Sequence, residues 1–155
     1  MPIRNHIFKI TDTLSGSPGF IYGTANELNQ LADDKAFPCV FMYPLQSIEL
    51  SPAINGSVHN TFTVYLEFLF KTNFDQYTYD NETYVSQALH LANEFLVKAS
   101  NYSDNGVARH FKIMAGSKAK CLPVYNKYDV NTTGVNLTLT LQNLGFESYN
   151  KPQIH

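Results

Sequence analysis

Cysteine, charge and long apolar runs are all scarce in this sequence, and each scarcity closes a class of function. Cys39 and Cys121 are the only cysteines in 155 residues, too few for the disulfide framework that small secreted domains depend on. Both lie in apolar company, Cys39 in the run Pro38 to Tyr43 and Cys121 in the stretch Lys118 to Tyr125. They are expected as reduced thiols acting as small core hydrophobes. Charged residues make up 15% of the chain and the formal net charge is −2, so the clustered Lys and Arg that grip phosphates are missing. No apolar stretch approaches the roughly 20 residues of a membrane span. No basic start followed by an apolar segment marks a secretory leader, so the chain is expected to start at Met1 and to fold in cytoplasm.

Chemical motifs are scarce too. Gly16-Ser17-Pro18-Gly19 and Ala115-Gly116-Ser117-Lys118 are turns that do not complete the glycine-lysine pattern that cradles phosphates. Neither cysteine has a placed histidine partner that would mark a nucleophile. His90 and Glu94 stand four apart on one helical face without a third ligand at a recognisable spacing, which suits a solvated polar pair better than a metal. His6, His59 and His110 stand alone, where surface positions are expected. Asp33, Asp34, Asp75, Asp80 and Asp104 are explained by caps and turns unless several converge on one cavity. Five Asn-X-Ser/Thr triplets, at Asn55, Asn81, Asn101, Asn131 and Asn136, follow from a chain rich in those residues. No catalytic residue, metal or cofactor is assigned.

What the sequence does contain is a sheet with a helix laid over it. Phe62, Val64, Leu66, Phe68 and Phe70 are apolar at every second position, while Thr63, Tyr65, Glu67 and Lys71 fill the other face. That is a half-buried strand of roughly 35 Å at about 3.3 Å per residue. Val85, Ala88, Leu89, Ala92, Phe95, Leu96 and Ala99 then recur at the spacing of one helical face, with Asp80 or Asn81 as cap, Glu82 in the first turn and an end near Ser100. Ile3, Ile7, Ile10 and Leu14 predict a short N-terminal helix. Phe20 to Tyr22 reads as extended. Thr24 to Glu27 has the form of a capping box for a helix from Ala25 to about Lys35, with Ala25, Leu28, Leu31 and Ala32 inward.

Pro38 to Tyr43 reads as a central strand buried on both faces. Gln46 to Leu50 alternates and joins the long strand through a hairpin turn at Ser51 to Ser57. Phe111 to Ala115, Ala119 to Tyr125 and Val135 to Leu141 complete the strands, with Asp129 to Gly134 closing a hairpin in which Asn131 or Gly134 takes a positive φ. The fold class is α+β: one domain over residues 1–147, a mostly antiparallel or mixed sheet with a long amphipathic helix and shorter N-terminal helices packed on it. Residues 148–155 are expected as a loose tail.

Aromatic residues outside the core pattern are the better functional lead. Tyr43, Phe74, Tyr77, Tyr79, Tyr125 and Tyr128 are the candidate interface residues, since tyrosine offers a large contact area with few rotors to freeze. The alternative for each is a ring folded back on its own core.

The order of elements, together with Tyr22-Gly23-Thr24-Ala25-Asn26-Glu27-Leu28-Asn29, then Phe37-Pro38, then Phe62 to Lys71 with the helix from Glu82, resembles the small connector, neck and tail-terminator ring proteins of tailed bacteriophages. The likeness runs from about Phe20 to Leu144 and is strongest to versions from phages of Bacteroidetes, including the crAss-like group. It implies a virion protein without enzymatic activity, folded in the host bacterial cytoplasm and forming a homo-oligomeric ring that meets other neck or tail proteins. It also implies no membrane, no cofactor, and phage DNA passing the lumen without sequence-specific binding. A weakly negative lining would let the polyanion slide. In such a ring the loops Ser51 to Asn60, Asn73 to Tyr79 and Asp129 to Gly134 are the interface candidates. The competing expectations are a monomeric ligand-binding or adaptor module and, less favoured, a small hydrolase or nuclease built on the scattered aspartates.

Overall fold

The computed structural model describes residues 3–31, 37–52, 58–75, 77–102, 111–113 and 119–143. In chain order these form α1 (Ile3–Thr11), β1 (Gly19–Tyr22), α2 (Ala25–Leu31), β2 (Cys39–Met42), β3 (Ser47–Pro52), β4 (Val58–Lys71), α3 (Thr78–Ser100), β5 (Phe111–Ile113), β6 (Lys120–Lys127) and β7 (Thr132–Asn143). The fold is α+β, with one seven-stranded sheet ordered β1-β2-β4-β7-β5, to which β3 adds beside β4 and β6 beside β7. Every pairing is antiparallel except β1 with β2.

The alternation in β4 decides the layering. Val64, Leu66 and Phe68 face a core closed by α1 and α3, where they meet Ile7, Ile10, Ala88, Leu91, Phe95, Leu137 and Leu139. Phe68 and Phe95 meet edge to face with centroids 5.8 Å apart, and burying each such ring contributes roughly 1.5–3 kcal/mol. Gly134 is held by contact, since a Cβ there would run into the Phe68 carbonyl oxygen. That close approach lets β7 lie beside β4 over residues 61–71.

The long helix ends at Ser100 as expected, but it starts earlier and rolls slightly from the face read in sequence. Leu89 is 43% exposed while Leu91 is buried. At 3.6 residues per turn Leu89 stands about 100° from Ala88 and Leu91 only about 60°, so Leu91 completes the buried stripe. The chain enters the helix at Tyr77, whose backbone N–H donates to the Asp80 carboxylate at 3.2 Å. Asp80 thus lies within the first turn, and Asn81 is buried below it.

α2 opens with the expected box: Thr24 N–H donates to Glu27 Oε2 at 2.6 Å and Glu27 N–H reaches Thr24 Oγ1 at 3.4 Å. Gly23, at φ 151°, precedes it because a Cβ would strike the Glu27 carboxylate. Leu28 is buried and Ala25 half-buried. The expected continuation to Lys35, with Ala32 inward, lies outside the described residues. So do the turn Ala53 to Ser57, the second half of the Phe111 to Ala115 strand and the tail from 144 onward. β2 is buried at all four residues, between β1 and β4 as its apolar run predicts.

Candidate functional site

The sheet face opposite α3 is where the sequence reading needs its main correction. Glu67 alternates onto that face, which the pattern assigns to the polar side, yet it is fully buried. Leu28, Cys39, Phe41 and Leu69 form a second small core there, with Tyr43 and Tyr128 packed against it. Glu67 Oε1, the Tyr43 hydroxyl 3.2 Å from it and the Tyr128 hydroxyl form a triangle of three contacts that share the two phenolic protons, with the carboxylate oxygen as acceptor. Lys127 Nζ donates to Glu67 Oε2 at 3.1 Å and lies 5.0 Å from the Tyr128 ring centroid. Both carboxylate oxygens are therefore engaged by named donors, as a buried charge requires.

Electrostatics follow from that burial. Desolvation, with the Glu67 and Tyr43 hydrogen bonds behind it, drives the Tyr128 phenol far above its ordinary value. Desolvation also raises Tyr43, only partly offset by its bond to Tyr128. Burial alone would lower Lys127, but the Glu67 charge and hydrogen bond outweigh it and the ammonium titrates above its ordinary value. The Cys39 thiol is pushed up to about 12 by burial and then by Glu67. Neutral phenols and a neutral thiol held this way are poor nucleophiles. The network works as an anchor.

What it anchors is the turn between β6 and β7. Asn126, Tyr128 and Asn131 have φ of 49°, 71° and 48°, left-handed backbone that a bulky tyrosine adopts only when its surroundings fix it. Asn131 Nδ2 donates to Thr72 Oγ1 and to Asn126 Oδ1, both at 3.0 Å, and Asn81 Nδ2 donates to the same Asn126 oxygen at 3.1 Å. Asn29 Oδ1 on α2 accepts from Asp129 N–H at 3.1 Å. Turn, sheet and both helices are fixed as one body. Asn81 and Asn131 are buried within it, so those two Asn-X-Thr triplets are closed to glycan attachment on the folded chain. Asn131 takes the positive φ expected of the hairpin, whereas Gly134 acts through close approach.

The candidate interface residues divide into two groups. Tyr43 and Tyr128 are half-buried and their hydroxyls are committed to Glu67. Phe74, Tyr77 and Tyr79 are 66%, 80% and 81% exposed, so the loop joining β4 to α3 presents two rings to water and Tyr79, placed in the first turn of α3 and not in the loop, adds a third. Tyr125 is exposed on β6. A second apolar surface was missed in sequence: all six residues of β3 are exposed, with Ile48 at 55% and Leu50 at 65%. The alternation of Gln46 to Leu50 already carried the signal, because among the described strands β3 pairs only with β4 and so stands at an edge.

Glu94 accepts from Ser15 N–H at 2.9 Å and Ser15 Oγ at 3.0 Å and pairs with Lys98 at 3.1 Å, so it is tied to its neighbours and does not form a ligand pair with His90. Burial works against its charge, but the Ser15 and Lys98 bonds win and its carboxyl titrates below the ordinary value. His90 lines a groove of about 510 Å³ with Pro38, Phe70 and Leu91. His6 is buried, contrary to expectation: it shares the α1 face of Ile7 and Ile10 and bonds the Tyr102 hydroxyl at 2.9 Å. Among the described residues no three His, Cys, Asp or Glu converge as metal ligands, and both described cysteines are free. No described helix is long and apolar enough to cross a membrane. No protein-family model matches the chain, and no curated protein matches it at a significant level.

Proposed function

We propose that this chain is a structural subunit of an oligomeric ring in the head-to-tail connector or tail of a tailed bacteriophage, joining neighbouring rings and leaving a channel for DNA. The observation that carries this reading is the junction of β4 and α3, with Phe74 and Tyr77 of the loop and Tyr79 of the first helical turn in water. Aromatic side chains bury about 150–250 Å² each when covered, and aromatic residues are enriched at interfaces. β3 supplies an unlike apolar surface at the opposite end of β4. Two unlike contact surfaces on one subunit are what a heterologous, ring-forming contact uses. The Glu67 anchor adds rigidity, holding the β6–β7 turn at a fixed angle to the sheet. The resemblance of segments to phage neck and tail-terminator proteins supports the same reading. On it, the partners are further copies and adjacent neck or tail proteins, the location is the virion, and no catalysis or cofactor is involved.

Negative-stain imaging of the purified chain tests this. Rings with a central hole are expected, and Tyr77→Ser with Tyr79→Ser should abolish them while leaving the circular dichroism unchanged. Folded single copies in every field for the native chain would overturn the reading.

The groove beside Phe70 and Leu91 favours a second reading, a monomeric ligand-binding or adaptor module. Saturable binding of an apolar small molecule, lost on Leu91→Arg, together with no self-association would favour it over the ring.

A further inference from the structure

One end of the sheet is four strands wide, ordered β3-β4-β7-β5, and neighbours there are antiparallel throughout. Among the described strands, β3 pairs only with β4 and β5 only with β7, so each is an edge strand of the described sheet. The register runs straight across this end. Glu49 pairs with Thr61, Thr61 with Gln142, and Gln142 with Lys112. In the adjacent row Ile48 pairs with Phe62, Phe62 with Leu141, and Leu141 with Ile113. On the other side of the charged row stand Leu50, opposite Asn60, and Phe111, opposite Asn143. The two edges therefore carry matching triplets in the same rows: Ile-Glu-Leu on β3 and Ile-Lys-Phe, read in the same direction, on β5.

We infer that β5 of one copy adds alongside β3 of the next, continuing the sheet from subunit to subunit with Glu49 opposite Lys112. The inference rests on the ring proposed above and names one of its contacts. β3 runs parallel to β7 and β5 antiparallel to it, so a second copy set down beside the first keeps the antiparallel alternation without a turn of the sheet. Ile48 and Leu50, 55% and 65% exposed on an uncovered edge, then meet the rows of Ile113 and Phe111. An apolar edge strand is a template for another strand.

The charges decide which strand. If β3 paired with β3 of a second copy, antiparallel and with Ile48 opposite Leu50, Glu49 would lie opposite Glu49. If β5 paired with itself, Lys112 would lie opposite Lys112. Like charges directly opposite destabilise a strand pair, and opposite charges favour it. Both symmetric dimers are disfavoured and the head-to-tail contact is favoured, the kind that repeats around a ring.

A charge exchange tests the pairing. Glu49→Lys alone and Lys112→Glu alone should each weaken association about tenfold per contact, the size of a like-for-opposite swing in a cross-strand pair, and shift the mass by light scattering toward single copies. Mixing the two variants in equal amounts should restore the native mass, because in alternating copies every β3–β5 contact regains opposite signs. A variant that merely unfolded would not be rescued by the other. Amide exchange supplies a reading free of substitutions: the β3 amides of the native chain should slow in the assembled fraction relative to the single-copy fraction. Variants that assemble like the native chain, a folded mixture that stays dissociated, or β3 amides that exchange equally in both fractions would overturn this contact while leaving the ring itself standing. A native chain that never assembles would overturn the ring, and this contact with it.

Discussion

The two halves of β4 differ in pattern and in covering: Val64 to Leu69 is largely apolar, whereas Val58 to Thr63 is mostly polar, with Phe62 packed against the main core. From Val64 to Leu69 the strand is walled in: Val64, Leu66 and Phe68 face α3, Glu67 and Leu69 face the second core, and β2 and β7 flank it. From Val58 to Thr63 its outer neighbour is β3, all of whose residues are exposed. The walled half is buried within the sheet and its two cores, while residues 60–63 are half-buried and lie beside a strand whose residues are all exposed.

The largest expected effect lies in the walled half. Phe68→Ala should cost about 3–5 kcal/mol in chemical denaturation, the range for emptying a buried aromatic site. Leu50→Ser on β3, beside the open half, should change single-copy stability by no more than about 0.5 kcal/mol, as surface substitutions do, while reducing assembly. Equal costs for the two would erase the distinction between the halves.

Lys127→Met comes next, because it leaves the Glu67 carboxylate buried without its cation. Removing one partner of a fully buried pair costs about 3–5 kcal/mol. Lys127 is 39% exposed, so about 1–3 kcal/mol is expected, and adding Glu67→Gln should recover part of it.

A smaller effect is the alkaline limb. Cys39, Tyr43, Tyr128 and Lys127 all titrate above their ordinary values in the fold. Groups raised in this way stabilise fully below their unfolded values, and that stability is lost as pH rises through the folded ones. Stability should therefore decline above pH 9.0, the ordinary thiol value, and continue falling through about 12. Cys39→Ala should flatten the first part of that decline, read from denaturation midpoints against pH.

The smallest effect is at the acid end, where Glu94 is lowered despite the burial that opposes it. Its contribution is present above the ordinary carboxylate value and lost as pH falls through the lowered one. Glu94→Gln should remove that slope and nothing else.

Much of the fold was legible because it is written in short-range periodicity. The alternation in Phe62 to Phe70 gave β4, the Thr24 and Glu27 pair gave the start of α2, and the proline-bounded apolar run gave β2. Glu67 was misplaced because alternation reports which side of a strand a residue faces, not what arrives to cover that side. Its cover comes from Leu28 on α2, Tyr43 after β2 and Tyr128 in a later turn, which are joined only by tertiary packing. His6 was legible in principle, since it stands on the helical face of Ile3, Ile7 and Ile10. The candidate interface was half legible: an aromatic loop shows as composition, so Phe74, Tyr77 and Tyr79 were found. The matching of β3 to β5 depends on the register through β4 and β7, and no local signal in either edge strand reveals it.

The central claim is that the exposed ends of this molecule are surfaces for further copies. The most direct test is the mass of the native chain in solution, by light scattering coupled to size exclusion over a wide range of concentration. A mass of several chains, discrete and shared across the peak, is the predicted result. A single-chain mass at every concentration would contradict it.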